Sequence, residues 1–358
     1  MRKKINLTIA TNINGQGGIA TVLQVLKDAS FFNKTSSERL SSHSSKNKNQ
    51  LSAIFTFVKS ILMLCFYAVF YKVGVVHVHM SSRGSYTRKA IIVRLANFFS
   101  IKTIIHLHGS EFQEFYSNES SKRKQHIVDT FNMADKVIVL SSQWLAWVNT
   151  IVKDQNKACI VYNAVPEVVL PSKKSQQKNI LFLGRLGQRK GVEDLINAFA
   201  KIAIDYPNSQ LQLGGDGDLT RYQTQVTSLG IADQVTFLGW VSGVTKNQCL
   251  ADATVYCLPS YNEGFPMGIL EAMSADVAVV ASKAGGIPDA ITDKKEGLLI
   301  DAGDVDALAE ALVIMLADSE KRDEFSAAAK EKYQLNFSPA VIVPQLELIY
   351  QELLSKAK

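Results

Sequence analysis

Arg185 and Lys190 sit on one short segment, Gly184-Arg185-Leu186-Gly187-Gln188-Arg189-Lys190-Gly191, which follows an apolar run and opens a helical pattern. A guanidinium presents a planar fork to two oxygens, and an ammonium presents a point charge. Two such cations on a glycine-flanked loop can hold a diphosphate and stabilise the charge that builds on it as a bond to it breaks. Glu263 and Glu271 bracket a second segment, Pro259-Ser260-Tyr261-Asn262-Glu263-Gly264-Phe265-Pro266-Met267-Gly268-Ile269-Leu270-Glu271-Ala272-Met273. An apolar strand ends there, a loop turns, and a helix starts near Pro266, a residue suited to the first helical turn. The free N–H groups of such a helix start form an anion site. Glu263 lies at its mouth. Glu271, about two turns in, can accept two hydrogen bonds from a diol such as a ribose. Each glutamate alone reads as a surface carboxylate, and Arg185 alone as a structural ion-pair residue. Carboxylates beside an anion site would repel a phosphate, so the two cations and two acids make sense together.

The elements that must position these residues alternate along the chain. Ile5 to Ala10 reads as a first strand, followed by the glycine loop Gly15-Gln16-Gly17-Gly18 and a helix from Ile19 to Ala29 with apolar residues at helical spacing. Further strands are expected at 73–79, 102–107, 136–140 and 159–162. Residues 33–50 are rich in Ser, Asn and Lys and read as a mobile loop. Residues 166–178, with two prolines and a polar cluster, read as a linker. A second series then runs through strands at 179–183, 210–213, 235–238, 253–258, 277–281 and 297–300. Two β-α series in tandem predict an α/β chain with two Rossmann-like, doubly wound parallel sheets. The expected domains are 1–168 and 174–338, with a C-terminal helix at 339–358 packing back onto the first. Ligands in such folds sit at the carboxyl ends of strands, so the glycine loops are expected to meet at one cleft between the domains.

At 358 residues, two domains of ordinary size are the default. A 47% hydrophobic and 20% charged composition excludes a disordered or fibrous chain. The net charge of +6 hides an asymmetry: residues 1–170 hold 21 Lys/Arg against 9 Asp/Glu, and residues 171–358 hold 18 against 24. A basic first half suggests an anionic partner such as a membrane surface, a phosphorylated lipid or a nucleic acid; a solvated basic surface is the plainer alternative. Cys65, Cys159, Cys249 and Cys257 form no C-x-x-C pair and read as reduced, cytosolic thiols. Met1-Arg2-Lys3-Lys4 resembles a leader's basic start, but the apolar run that follows is too short, so it is read as a first strand. Ile54 to Tyr71 is almost wholly apolar and close to the length that crosses a bilayer. Lys59 interrupts it and a strand follows directly, so a core or membrane-touching helix is favoured over a spanning one.

His77 and His79 alternate on one strand, and His106 and His108 on another, so each pair shares a face. Four converging histidines could bind zinc; the plainer reading is polar residues gathered at strand ends, with His108, beside Gly109, reaching substrate. Asp216-Gly217-Asp218 is read as a turn rather than a metal motif, so no obligatory metal or other cofactor is expected. The loop at Gly15 suggests a dinucleotide fold only weakly, because no acidic residue closes the next strand.

Gly184-Arg185-Leu186 with Lys190-Gly191, then Glu263 and Glu271, then Gly285-Gly286-Ile287-Pro288, resemble the motifs of the retaining glycosyltransferases of family 4, in order and spacing across the second half. The glycine loop at 15–18 and His106-Leu107-His108-Gly109 add a weaker match in the first half. The resemblance implies a GT-B architecture, in the branch that assembles exopolysaccharide, capsule or O-antigen. It implies that Arg185 and Lys190 bind the donor diphosphate, that Glu271 holds the ribose, and that Glu263 lies beside the donor hexose. It also implies that backbone amides of Gly264, Phe265, Pro266, Met267 and Gly268 meet hexose or phosphate where they carry an N–H. Gly184 belongs to the same donor loop, Gly17 and Gly18 would approach the diphosphate, His108 would lie by the reacting carbon, and residues near Gly239-Trp240 would flank the base. Asp289 stands where the family usually has Glu, and Ala275-Asp276-Val277-Ala278 where it has Gly-x-Pro-Val.

By the same resemblance, a hexose passes from a nucleoside diphosphate, UDP-hexose first and GDP-mannose second, to a saccharide or polyprenyl-diphosphate-linked acceptor. The protein would be cytoplasmic, with peripheral contact to an anionic inner membrane. A nucleotide-sugar epimerase or hydrolase on the same fold is the alternative. A nucleic-acid partner is not expected, since no recognition motif and no aromatic–basic interleaving is present.

Overall fold

The computed structural model describes residues 3–15, 17–43, 50–171 and 178–355. The chain divides into two compact units, Met1–Ala164 with Pro339–Lys358, and Val165–Ser338. The first unit carries a six-stranded sheet built from β1 (Lys4–Thr11), β2 (Ser37–His43), β3 (Lys72–Met80), β4 (Lys102–Leu107), β5 (Lys136–Val139) and β6 (Ala158–Ile160), in the order β2-β1-β3-β4-β5-β6. Every pairing in it is parallel. Its helices are α1 (Gly18–Asp28), α2 (Phe31–Lys34), α3 (Gln50–Phe70), α4 (Gly84–Phe98), α5 (Phe112–Ser117), α6 (Ser121–Met133) and α7 (Ser142–Asn149). The central strands read as near-continuous apolar runs because helices cover both faces; Leu7, Ile9, Val76, Val78, Ile105 and Val137 are all buried in one core.

The second unit repeats the scheme with β7 (Lys178–Leu183), β8 (Ser209–Gly214), β9 (Val235–Gly239), β10 (Ala253–Leu258), β11 (Ala278–Ser282) and β12 (Gly297–Ile300), ordered β12-β11-β10-β7-β8-β9. The helices are α8 (Val192–Ile202), α9 (Leu219–Ser228), α10 (Gly243–Asp252), α11 (Met267–Ser274), α12 (Ile287–Ala290), α13 (Val305–Ala317) and α14 (Ser319–Asn336). Short polar side chains start several of them: Asp218, Asp304 and Asp318 each accept a backbone N–H three residues on. Asp218 thus caps α9, which gives the Asp216-Gly217-Asp218 turn a structural task. The strand order reverses between β10 and β7, and the loops that leave those two strands carry the motif residues. That is where an open parallel sheet binds ligand.

The last helix, α15 (Pro339–Ser355), belongs to the first unit. Its Tyr350 hydroxyl lies 3.1 Å from His77 Nδ1, and its ring meets Phe31 edge-on at 5.4 Å. Lys34 pairs with Glu347 at 3.1 Å.

Two expectations change. Residues 33–43 are not a mobile loop: α2 ends there and Ser37–His43 form β2. The strand is polar because it is the sheet edge, paired on one side only; residues 44–49 of that expectation lie outside the described residues. The apolar segment is a helix, as read, but not a core helix. Leu64 is buried and Phe57, Ile61, Tyr67 and Ala68 pack on the core, while Leu51, Phe55, Leu62 and Phe70 are each more than 60% exposed. Among the described residues α3 alone is long and apolar enough to cross a membrane.

Candidate functional site

In the second unit, the loop after β7 and the loop after β10 are locked together. Lys190 Nζ lies 2.5 Å from Glu263 Oε1, and the Ser260 hydroxyl donates to the same oxygen at 2.7 Å. Arg189 donates to the Asn262 carbonyl at 3.0 Å, and the Tyr261 N–H to the Arg189 carbonyl at 2.9 Å. Gly191, at φ 67°, closes the first loop against the second: a Cβ there would meet the Pro259 carbonyl oxygen at 2.1 Å. Only glycine satisfies both the left-handed backbone and that approach. A third loop backs the pair, since a Cβ on Gly285 would lie 1.8 Å from the Glu263 carbonyl oxygen. Glu263 is therefore buried, oriented and charge-compensated before any ligand arrives.

Arg185 differs. It is exposed and has no ion-pair partner among the described residues, which leaves its whole fork available to an anion. Gly184 precedes it, its N–H donating to the Gly214 carbonyl at 2.9 Å. Gly264 and Phe265 are buried, and the Phe265 ring packs on Phe337 at 5.3 Å, so its side chain serves the core. Pro266 precedes the helix as its N-cap, and α11 begins at Met267. Gly268 faces the Tyr256 hydroxyl so closely that a Cβ would sit 2.2 Å from it. Glu271 is one turn into α11 rather than two, because the helix starts at Met267, and it pairs with Lys246 of α10 at 2.6 Å. Gly239 ends β9 at φ 64°, its carbonyl accepting from Gly215 N–H at 2.7 Å, and the Trp240 ring beside it is exposed.

Ser260 and Lys246 were not singled out from sequence. Ser260 was findable, as a hydroxyl three residues before an acid on a strand-ending loop. Lys246 carries no local signal; only the packing of α10 brings it to Glu271.

In the first unit, Gly17 is the N-cap of α1 at φ 109°, Gly18 starts the helix, and a Cβ on either would meet open space. Gln16 between these glycines and Gly15 lies outside the described residues. Parallel pairing of β3 with β4 sets His79 opposite His106. The imidazoles stack: His77 on His79 at 4.5 Å, His79 near His106 at 5.0 Å, and His106 near His108 at 4.1 Å. His108 Nε2 meets His79 Nδ1 at 2.9 Å. His77, His79 and His106 do not gather at an open strand end, as read from sequence; they are buried within the sheet face. Burial holds His77 and His108 down at about 3, and His79 and His106 well below the usual imidazole range. Ring nitrogens of His77, His79 and His106 lie within 4.8 Å of one another. A tetrahedral zinc with Zn–N of ~2.0–2.1 Å needs them about 3.3 Å apart. His77 and His79 stack at an interplanar angle of 26°, and His79 and His106 are tilted by 31°.

Two Rossmann-like parallel sheets in tandem are the units of a GT-B fold. Residues 170–332 match the family described as Glycosyl transferases group 1, so the second unit is similar to the domains of that family. It is 32% identical over 62% of its length to an exopolysaccharide phosphotransferase of Streptomyces coelicolor, of which the match covers 24%. It is 28% identical over 72% of its length to the N-acetyl-alpha-D-glucosaminyl L-malate synthase of Bacillus anthracis, covering 70% of it. It is 33% identical over 49% of its length to a phosphatidyl-myo-inositol mannosyltransferase of Mycobacterium leprae, covering 46%. The matches to the first and third of these thus span less than half of those relatives. Among solved structures, a sucrose-phosphate synthase from Thermosynechococcus elongatus superposes with a TM-score of 0.81 at 20% identity, covering 98% of this chain and 100% of that one. Anabaena HepE in complex with UDP-glucose gives 0.76 at 18%, covering 98% and 100%. At these identities the likeness establishes the GT-B fold.

Proposed function

We propose that the chain transfers a hexose from a nucleoside-diphosphate sugar to a hydroxyl of a saccharide or lipid-linked acceptor, retaining the anomeric configuration. The observation that carries it is the contrast within one loop: Lys190 is held in place by Glu263, which Ser260 in turn fixes, while Arg185 is left open to an anion. Lys190 has three N–H donors and spends one on Glu263. The other two, with the Arg185 fork, suit the oxygens of a diphosphate. Glu263, fixed beside them, suits hexose hydroxyls, and Glu271 suits a ribose diol.

In the step itself, the bond from the anomeric carbon to the diphosphate oxygen breaks as the acceptor oxygen bonds to the same face of that carbon. The acceptor's proton passes to the departing phosphate oxygen. Glu263 is committed to Lys190 and Ser260, which supports this route over a covalent glycosyl-enzyme. Arg185 and Lys190 then contribute by stabilising negative charge on the leaving group. No metal or other cofactor is invoked.

For the donor, the UDP-glucose complex of HepE supports UDP-hexose, and the mannosyltransferase relative supports GDP-mannose as the second choice. A surface-polysaccharide role draws on the exopolysaccharide relative. A lipid acceptor and peripheral attachment at the inner face of the cytoplasmic membrane are supported by the exposed apolar side of α3 and the basic first half. A nucleotide-sugar panel, read by thermal shift and by transfer to lipid-linked acceptors, tests the proposal. Selective stabilisation by one nucleotide sugar and an α-linked product are expected. An epimer or free hexose at the same rate without acceptor would replace it with the epimerase or hydrolase reading.

A further inference from the structure

The carboxyl edge of the first unit's sheet holds a set of cationic and orphaned polar groups that the donor site does not use. Lys89 and Arg88 lie in the second turn of α4, which starts just after β3. Lys89 is 2% exposed and has no hydrogen-bond or ion-pair partner among the described residues. Arg88 Nε, His43 Nδ1 and His79 Nε2 are buried and unpartnered. Arg88 folds back along its own helix, with Nη1 3.4 Å from where a Cβ on Gly84 would stand. His43 ends β2, His79 lies near the end of β3, and His108 directly follows β4, so the strand order brings these groups to one edge. Charge on Lys89 reaches His43, His79 and His108, and charge on Arg88 reaches His43 and Lys89. The groups pressing on them are burial and other bases, never a carboxylate. Burial together with Arg88 pulls Lys89 down to about 7.

A buried ammonium without a counter-charge costs several kcal/mol, so such a group gives up its proton near neutrality or holds it where an anion completes it. Two cations with several N–H donors match an anion with many oxygens and more than one charge, which a single carboxylate does not offer. We propose that Arg88, Lys89 and His43 form a phosphate-binding site that receives the phosphate or diphosphate of the acceptor, beside His108. The anion site stands on the geometry; naming its ligand as the acceptor rests on the transfer reading.

The test is calorimetric titration of inorganic pyrophosphate into full-length protein carrying Arg185→Ala, which opens the donor clamp. One site is expected to remain. Adding Arg88→Gln and Lys89→Met is expected to weaken it by about 10- to 100-fold, the equivalent of one or two charged hydrogen bonds. Lys89→Arg keeps the charge and is expected to keep most of the affinity. Lys89→Met alone, which replaces a buried ammonium with an apolar chain of similar length, is expected to leave the melting temperature unchanged or higher. Undiminished pyrophosphate binding in the triple variant, or no site in Arg185→Ala protein, overturns the site. Displacement of pyrophosphate by vesicles carrying a polyprenyl diphosphate, or by a soluble sugar 1-phosphate, identifies the source; displacement by neither overturns the acceptor assignment. Nucleotide-sugar binding by the unaltered protein tests the transfer reading independently.

Discussion

Replacing Lys190 with methionine keeps most of the side chain's length and removes its charge. In the native fold the ammonium lies 2.5 Å from Glu263 Oε1, with the two side chains only 16% and 7% exposed. The substitution leaves a buried carboxylate with the Ser260 hydroxyl as its remaining side-chain donor at that oxygen. Breaking a buried pair from one side costs roughly 3–5 kcal/mol. The lower end fits here, because Ser260 stays and the site opens to solvent on the lysine side. For a unit of this size about 3 kcal/mol lowers the melting temperature by roughly 6–12 °C. Lys190→Met/Glu263→Gln removes the unpaired charge and is expected to recover most of that loss. Thermal unfolding of the wild type and both variants at neutral pH provides the measurement. A single variant as stable as the wild type, or a double variant worse than it, would refute the idea that this ion pair organises the site.

Arg185→Ala isolates the clamp without that structural cost: turnover is expected to drop by about 100- to 1,000-fold, with a melting temperature within a degree or two of wild type, in a radiolabel transfer assay. Glu271→Gln should weaken nucleoside-diphosphate binding by about 10-fold in calorimetry and spare the fold, Lys246 keeping an amide oxygen as partner. The histidine stack makes stability depend on pH with a definite sign. His77 and His108 are held at about 3 against 6.5 when unfolded, so the unfolded chain binds more protons between these values. Stability is full above pH 6.5 and falls by roughly 1 kcal/mol per ring from pH 6.5 to 5.5; urea titrations across that range test it, and a flat profile would contradict the buried neutral stack. Phe55→Ser/Leu62→Ser, on the exposed side of α3, should abolish flotation with anionic vesicles at low salt while leaving nucleoside-diphosphate binding intact in calorimetry.

The strands that carry the motif loops were legible in sequence because they are buried on both faces and read as apolar runs bounded by glycine. β2 was hidden for the opposite reason: an edge strand of Ser, Glu and Arg has the composition of a loop, and only its neighbour β1 makes it a strand. Glu263, Lys190 and Arg185 could be found from charge type and loop context. That Lys190 and Glu263 bond to each other, leaving Arg185 as the open cation, depends on two loops separated by more than seventy residues and on the glycines that let them touch. Residue spacing announced the histidine pairs, yet not their burial, since alternation fixes a face and not what covers it. Lys89 reads in sequence as one more surface lysine on a basic helix; its depth comes from how α4 seats on the sheet.

The return of α15 to the first unit sets an order on the ribosome. Residues 165–338 emerge as one uninterrupted stretch and hold everything their own core requires. The earlier unit has Tyr350, Ile342 and Leu346 still to come when its sixth strand is already made. At ~5–20 residues per second, that wait is on the order of 10–40 s. During this interval the nascent chain carries a finished downstream body while the pocket for the final helix, with Phe31 and His77 in its wall, stands uncovered. A chaperone that shields apolar surface would therefore act on the part of the protein made first and completed last.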